Sequence, residues 1–340
     1  VIEATIALHT VFDAPRDKIV FDVSHQCYPH KMLTGRVGAY VNAAEYHDVS
    51  GFTNTDESEH DLFNIGHTST GISLAAGLAK ARNLAGGTEN VVVVIGDGAM
   101  SGGEALEGLN VVGEMGTNFI IVFNDQSISE NHGGMYAKFK EMRETNGQAE
   151  DNLFRALGLR YRYVADGNDA EELIRVFSEE KDSTSPVVIH IHTIKGKGLS
   201  FAEADPEGWH RHAPFHVETG IAKNESHPDP YAVATVDFVL EAARKNPNFV
   251  YLSAGIVGGI NLSPAERAAL GSQYVDVGIA EEHAVAMASG LAKAGARPIF
   301  GTYSTFFQRT YDQMSQDVAI NRNPAVFLAT GTSLYRSTDV

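Results

Sequence analysis

Short, β-branched apolar runs alternate along the chain with longer stretches rich in Ala and Leu. The runs are Lys18 to Val23, Val91 to Ile95, Asn118 to Phe123, Pro186 to Thr193, Phe249 to Ser253, Arg297 to Gly301 and Pro324 to Ala329. Their length and solid apolarity predict strands buried on both faces. Between them, Ser69 to Leu84, Gly103 to Glu114, Asp169 to Glu180, Pro230 to Lys245, Ala280 to Ala294 and Ser304 to Asn321 read as helices, several with Ser, Thr or Asp at a cap. Strand then helix, repeated, predicts an α/β chain of doubly wound, mostly parallel sheets. A first unit is expected over residues 1–198 and a second over 230–340. Residues 199–229, rich in His, Pro, Gly and acids without periodicity, read as a linker.

Composition narrows the classes. A length of 340 residues suits about two domains, and 43% hydrophobic with 20% charged residues describes a folded globular chain. With 26 basic against 43 acidic residues the net charge is −17, which disfavours nucleic acid and anionic lipid as partners. No apolar run approaches the ~20 residues that span a bilayer, so no membrane crossing is expected. The single cysteine, Cys27, forms no internal disulfide, and a reducing, cytoplasmic setting is the expectation. The opening Val1-Ile2-Glu3-Ala4 lacks an initiator Met and a basic signal region, and reads as internal to a longer polypeptide.

The strongest chemical signal is Ile95-Gly96-Asp97-Gly98-Ala99, directly after an apolar strand and before a helix. The carboxyl edge of a parallel sheet is where ligands bind, and glycines let backbone approach a diphosphate. The same tripeptide also makes a plain turn. A second apolar strand, Phe119 to Phe123, ends in Asn124-Asp125. If the two strands are neighbours, oxygens of Asp97 and of Asn124 or Asp125 meet one Mg²⁺, which takes few protein carboxylates and completes its shell with phosphate and water.

At these residues the chain resembles the thiamine diphosphate enzymes, whose signature is Gly-Asp-Gly followed some 25 to 30 residues later by Asn. Further stretches narrow the resemblance to the 1-deoxy-D-xylulose-5-phosphate synthase family, of transketolase-like fold. They are Asp22-Val23-Ser24-His25-Gln26-Cys27-Tyr28-Pro29-His30-Lys31, Gly66-His67-Thr68-Ser69-Thr70, Lys195-Gly196-Lys197-Gly198, Asp276 to Val285, and Tyr303-Ser304-Thr305-Phe306-Phe307-Gln308-Arg309. The resemblance implies decarboxylation of pyruvate on thiamine diphosphate and transfer of the two-carbon remnant to D-glyceraldehyde 3-phosphate, in a homodimer. It implies catalytic roles for Glu281, His25 and His67, with Glu281 bonded to the aminopyrimidine N1′. Gly66, Thr68, Gly96, Gly98, Ala99 and Asn124 are implied to contact the cofactor and Phe306 to stack on its pyrimidine. Tyr303, Arg309 and His210 are implied on the substrate side, and Asp97 with Asn124 or Asp125 at the metal. Each has a plainer reading: Glu281 as a helix-start acid, Phe306 as core, Arg309 as a helix-surface ion pair, Lys195 and Lys197 as solvated. His30 and His283 fall between the two, and His132, His212 and His216 read as solvent or linker residues.

Departures from the family pattern are equally specific. The run Asn124-Asp125-Gln126-Ser127-Ile128-Ser129 is two residues shorter than the family's, Leu199 stands where the family has Tyr, and Thr330-Gly331-Thr332-Ser333 replaces a stretch with an arginine. Glu282 replaces Gln, adding negative charge beside Glu281. A compact third domain is expected to follow Val340. A transketolase-like ketol transferase and a non-catalytic relative that binds cofactor or a partner are the competing readings.

Overall fold

The structure, a computed structural model, describes residues 1–126, 133–210, 212–224, 229–255, 260 and 262–331. The chain divides into two units, Val1–Arg211 and His212–Arg336, and the division falls inside the stretch read as a linker. That stretch carries a short antiparallel bridge between Phe215 and Ala222.

In the first unit, β1 (Lys18–Phe21), β2 (Val91–Gly96), β3 (Ile120–Asp125), β4 (Arg160–Val164) and β5 (Val187–His192) form one sheet in the order β1-β2-β3-β5-β4. Every pairing is parallel. Successive strand side chains point to opposite faces, so each strand serves two cores. Along β2, Val91, Val93 and Ile95 join one core with the helices Gly71–Ala85 and Gly103–Val112. Val92 and Val94 join the other, with Ile2–Val11 and Ala170–Glu180. The solid apolar run is thus the signature of a sheet covered on both sides.

The second unit repeats the plan with β6 (Phe249–Ser253), β7 (Tyr274–Asp276), β8 (Arg297–Tyr303) and β9 (Val326–Thr330), ordered β7-β6-β8-β9 and again parallel. The helix Pro230–Lys245 supplies Val236, Val239 and Ala243 to one face, and Glu281–Lys293 supplies Ala284, Val285 and Ala288 to the other.

Several elements differ from expectation, among them the helices Gly134–Glu144 and Pro264–Leu270, which lie outside the predicted ones. The edge strand β4 was absent from the apolar runs because Arg160-Tyr161-Arg162-Tyr163 is only partly buried. The strand β7 is three residues long, too short to show a period. The helix expected over Ser304 to Asn321 is instead a 3₁₀ segment Ser304–Thr310, an α turn Tyr311–Gln313 and a π segment Met314–Ile320. Its opening Ser304-Thr305-Phe306-Phe307 is weak in helix propensity, and the Thr310 hydroxyl donates back to the Phe307 carbonyl at 2.9 Å. Among the described residues no helix is long and apolar enough to cross a membrane.

Candidate functional site

In the first unit the loops leaving β1, β2 and β3 gather most of the residues singled out above. β2 and β3 are neighbours, with Gly96 opposite Asn124, so Asp97 and Asn124 leave adjacent strand ends. Asp97 is buried, and its oxygens accept the N–H groups of Gly98 at 2.9 Å and Gln126 at 3.2 Å. Burial first, and the nearby Asp125 second, push its carboxyl up to about 6. Among the described residues no side-chain cation lies within ion-pair distance of it. Asn124 Oδ1 accepts the Thr193 hydroxyl at 2.6 Å. Gly98 and Ala99 continue into the turn Asp97–Met100.

Asp125 is committed differently. Its carboxylate accepts from Arg143 and bonds His190 Nε2 at 3.0 Å, while Tyr161 Oη meets His190 Nδ1 at 2.7 Å. Consecutive residues of a strand face opposite sides, so Asn124 and Asp125 do not offer their side chains to the same ligand. Among the described residues no three His, Cys, Asp or Glu side chains converge as a metal-ligand set. A magnesium diphosphate site needs none, since one carboxylate, one amide and phosphate oxygens suffice.

The loop Gly66-His67-Thr68 is held by a clamp that sequence reasoning quoted without assigning. Asp22, just past β1, accepts the Ser69 N–H at 3.0 Å and the Gly71 N–H at 2.8 Å, capping the helix Gly71–Ala85 from another segment. A Cβ on Gly71 would stand 2.9 Å from Asp22 Oδ1, so only glycine admits the carboxylate. The Ser69 hydroxyl donates to the Ala99 carbonyl at 2.8 Å, tying the His67 loop to the Gly-Asp-Gly loop. Ser69, Ser24 and Val23 all have positive φ, at 76°, 65° and 60°. For a β-branched residue such as Val23 this conformation costs about 1–3 kcal/mol and persists only where surroundings impose it. Ser24 helps impose it: its hydroxyl donates to the Ile65 carbonyl at 2.8 Å and accepts the Thr53 N–H at 3.0 Å.

His25 follows these strained residues. Its side chain reaches solvent, but protein crowds the ring, and that crowding, with positive charge from His210 and Lys195, holds it near 4 and neutral. Lys195 Nζ contacts His210 Nδ1. His67 and Thr68 are half-buried and Leu199 caps the short helix Ser200–Ala204. His30 lies elsewhere: it is buried, bonding His9 Nε2 at 2.8 Å and Asp61 Oδ1 at 3.0 Å. Asp61 also accepts the fork of Arg36 at 2.6 and 2.8 Å, and fully buried Lys31 donates to Glu57 at 2.7 Å.

In the second unit Glu281 opens the helix Glu281–Lys293. It is 2% exposed, and its Oε2 has no hydrogen-bond partner. Burial pushes its carboxyl up to about 7, against its own backbone N–H and Arg309, with Glu282 adding to the shift. Arg309 Nη1 is 3.9 Å from Glu281 Oε2 and its Nε is 3.4 Å from Glu282 Oε1. Asp276 Oδ1 braces the preceding turn by accepting the N–H groups of Gly255 and Gly278, each at 2.9 Å. Tyr303 ends β8, and its ring is 6.1 Å from that of Phe306, which is half-buried, while Phe307 packs on Phe300 in the core. His283 is exposed. The Ser304 hydroxyl donates to the Gly331 carbonyl at 3.1 Å. His132, Ser127 to Ser129, Thr332 and Ser333 lie outside the described residues.

Comparison with known proteins follows the same two units. Residues 1–151 and 141–193 match the family model described as 1-deoxy-D-xylulose-5-phosphate synthase, and residues 231–338 match that of the transketolase pyrimidine binding domain. The 1-deoxy-D-xylulose-5-phosphate synthase of Halalkalibacterium halodurans is 38% identical over 368 residues, covering 97% of this chain and 58% of the relative. Those of Heliobacterium modesticaldum and Clostridium tetani are each 40% identical, covering 96% of this chain and 56% and 59% of the relatives. The chain therefore spans somewhat over half the length of the curated relatives it matches. Among solved structures, the transketolase of Campylobacter jejuni has a TM-score of 0.46 at 18% identity, covering 96% of this chain and 64% of that one.

Proposed function

This chain belongs to the 1-deoxy-D-xylulose-5-phosphate synthase family, and from that premise we propose that the whole protein converts pyruvate and D-glyceraldehyde 3-phosphate into 1-deoxy-D-xylulose 5-phosphate and CO2, using thiamine diphosphate and Mg²⁺. The observation that carries the reading is Glu281: a buried carboxyl with an orphaned oxygen, raised to about 7, at the start of a helix in the pyrimidine-binding domain. Such a group fits the ring nitrogen of an aminopyrimidine, to which it gives and from which it takes a proton near neutrality. Asp97 fits a divalent cation on the same ground, as a buried carboxylate with no side-chain cation within ion-pair distance among the described residues.

When bound, thiamine diphosphate supplies the electron sink that decarboxylation of a keto acid requires. The protein's part is to hold, shield and proton-couple it. Asp97 and Asn124 are the metal ligands we favour, since Asp125 is engaged by Arg143 and His190. Gly96, Gly98, Ala99, Gly66 and Thr68 present backbone to the diphosphate, and neutral His25, with His67, donates to it or to oxyanions formed near it. Phe306 offers a ring face to the pyrimidine. Tyr303, Arg309 and His210 meet the substrates, with the guanidinium of Arg309 suited to the acceptor phosphate. We place the protein in the cytoplasm as a homodimer, on the family resemblance and its single cysteine.

The test is calorimetry of the full-length protein with thiamine diphosphate and Mg²⁺, followed by CO2 release from pyruvate. Binding that needs both ligands, with release of CO2 stimulated by D-glyceraldehyde 3-phosphate, is the expected result. Tight binding without turnover would favour the non-catalytic reading, and use of a ketose donor without CO2 would favour a transketolase-like transferase.

A further inference from the structure

The cation assigned above to the acceptor phosphate does not stand alone. Arg309 is nearly buried, its side chain 11% exposed, and two carboxylates flank it: Glu282 Oε1 at 3.4 Å from Nε and Glu281 Oε2 at 3.9 Å from Nη1. The two acids are unequal. Glu281 is buried, and the chemistry proposed for it uses the carboxyl itself. Glu282, one residue later on the same helix, is 39% exposed at its side chain and has no part in that chemistry. Its carboxylate lies 3.4 Å from Nε, one of the N–H donors a fork-type phosphate contact can use.

We propose that Glu282 is a positioning residue that sets acceptor specificity: by pairing with Arg309 it offsets the positive charge an acceptor phosphate would meet, and so narrows the preference for phosphorylated over unphosphorylated aldehydes. The proposal rests on the synthase reading for its substrates, and on the Glu282–Arg309 contact for its direction. A phosphate monoester arriving at Arg309 meets a guanidinium already shared with a carboxylate and repelled by that carboxylate's charge. An aldehyde without phosphate meets neither effect. The pair is partly solvated, so the effect is that of a half-exposed ion pair, roughly two- to fivefold.

Two measurements on the full-length protein with thiamine diphosphate and Mg²⁺ test it. In Glu282→Gln, the ratio of kcat/KM for D-glyceraldehyde 3-phosphate to that for D-glyceraldehyde rises about two- to fivefold, mostly through KM for the phosphorylated acceptor. Calorimetric binding of glycerol 3-phosphate, an unreactive monoester, tightens by a similar factor, and the gain vanishes in the double variant with Arg309→Met. An unchanged ratio with unchanged glycerol 3-phosphate affinity overturns the proposal, as does a gain that survives Arg309→Met. If pyruvate yields no CO2 in the unsubstituted protein while glycerol 3-phosphate affinity still responds to Glu282→Gln, the synthase reading falls and the role of Glu282 stands.

Discussion

Asp61 and Glu281 are buried to the same degree, at 3% and 2% exposure, yet their carboxyls move in opposite directions. Burial alone disfavours the charged form of both. Around Asp61 the Arg36 fork, His30 and the Asn54 N–H overcome that penalty and hold the carboxyl well below the usual range. Around Glu281, one oxygen is orphaned, Arg309 stands 3.9 Å off, and the carboxyl rises to about 7. Asp97 in the first unit behaves like Glu281, with two backbone N–H groups and the more distant charge of Lys195 too weak to prevent a rise to about 6. A carboxylate that holds a fold together is supplied with its cations by the chain. On the function proposed above, one that serves a ligand is left short of them, and the shortfall is what singles out Glu281 and Asp97.

The largest effect that can break this comparison is on turnover. Glu281→Gln keeps shape and removes the proton exchange, so kcat for CO2 release should fall on the order of 10²–10⁴-fold. Binding of the diphosphate should change far less. A kcat within a factor of three of the unsubstituted enzyme would remove Glu281 from the chemistry.

Next in size is stability at the satisfied carboxylate. Asp61→Asn takes from Arg36, whose side chain is 10% exposed, the carboxylate that holds its fork, leaving Glu57 at 3.2 Å as the remaining counter-charge, and weakens the bond to His30. Breaking a buried pair from one side costs about 3–5 kcal/mol, read from urea denaturation. Glu281→Gln should cost nothing by the same assay, because it removes an acid that the fold does not pair. Equal losses in the two variants would erase the distinction between them.

The pH dependence sharpens it further. The folded-state value of Glu281 lies above its ordinary 4.5, so the folded protein binds that proton more tightly than the unfolded chain. Its contribution is therefore fully present below about 4.5 and is lost as pH rises to about 7, on the order of 2–3 kcal/mol. Asp61 has the opposite sign: its contribution is present above the ordinary carboxylate range and is lost as pH falls below it. The denaturation midpoint of Glu281→Gln should therefore gain on that of the unsubstituted protein as pH rises from about 5 to 7.5, leaving the acid limb in place. A difference between the two that does not change with pH would show that Glu281 is not the titrating group.

Much of this was legible in the sequence, for reasons that differ by element. The runs at β2 and β3 are apolar at every position because both faces are covered, and that alone predicted parallel sheets. The helix Pro230–Lys245 was bounded to the residue because Asp229 caps it, accepting the Tyr231 N–H at 3.0 Å, and Pro230 starts it. The edge strand β4 was not legible, since alternating Arg and Tyr reads as surface. Nor was the Ser304 to Asn321 segment, where apolar spacing suggested one helix and weak propensity yields three short ones. At the site, the Gly-Asp-Gly loop and Glu281 stood out because their motifs are local. The partners that distinguish Asp61 from Asp97, and that engage Asp125, come from residues 18 to 65 positions away, and no spacing encodes them.

The smallest effect compares two hydroxyls. Ser50 belongs to the satisfied network, accepting from Lys31 at 3.2 Å and donating to Glu57 at 2.6 Å. Ser69 belongs to the proposed ligand side, with its hydroxyl on the Ala99 carbonyl and its N–H on Asp22. Replacing either by Ala removes partly or fully buried hydrogen bonds whose partners keep others, at about 0.5–1.5 kcal/mol of stability. Only Ser69→Ala should also loosen the tie between the His67 loop and the Gly-Asp-Gly loop, weakening thiamine diphosphate binding in the presence of Mg²⁺ by about five- to tenfold, a loss on the scale of one hydrogen bond. Ser50→Ala should leave that affinity within a factor of two. If calorimetry finds the two variants equally impaired, cofactor affinity tracks overall stability, and the line drawn between the satisfied network and the strand-end loops does not divide structure from function.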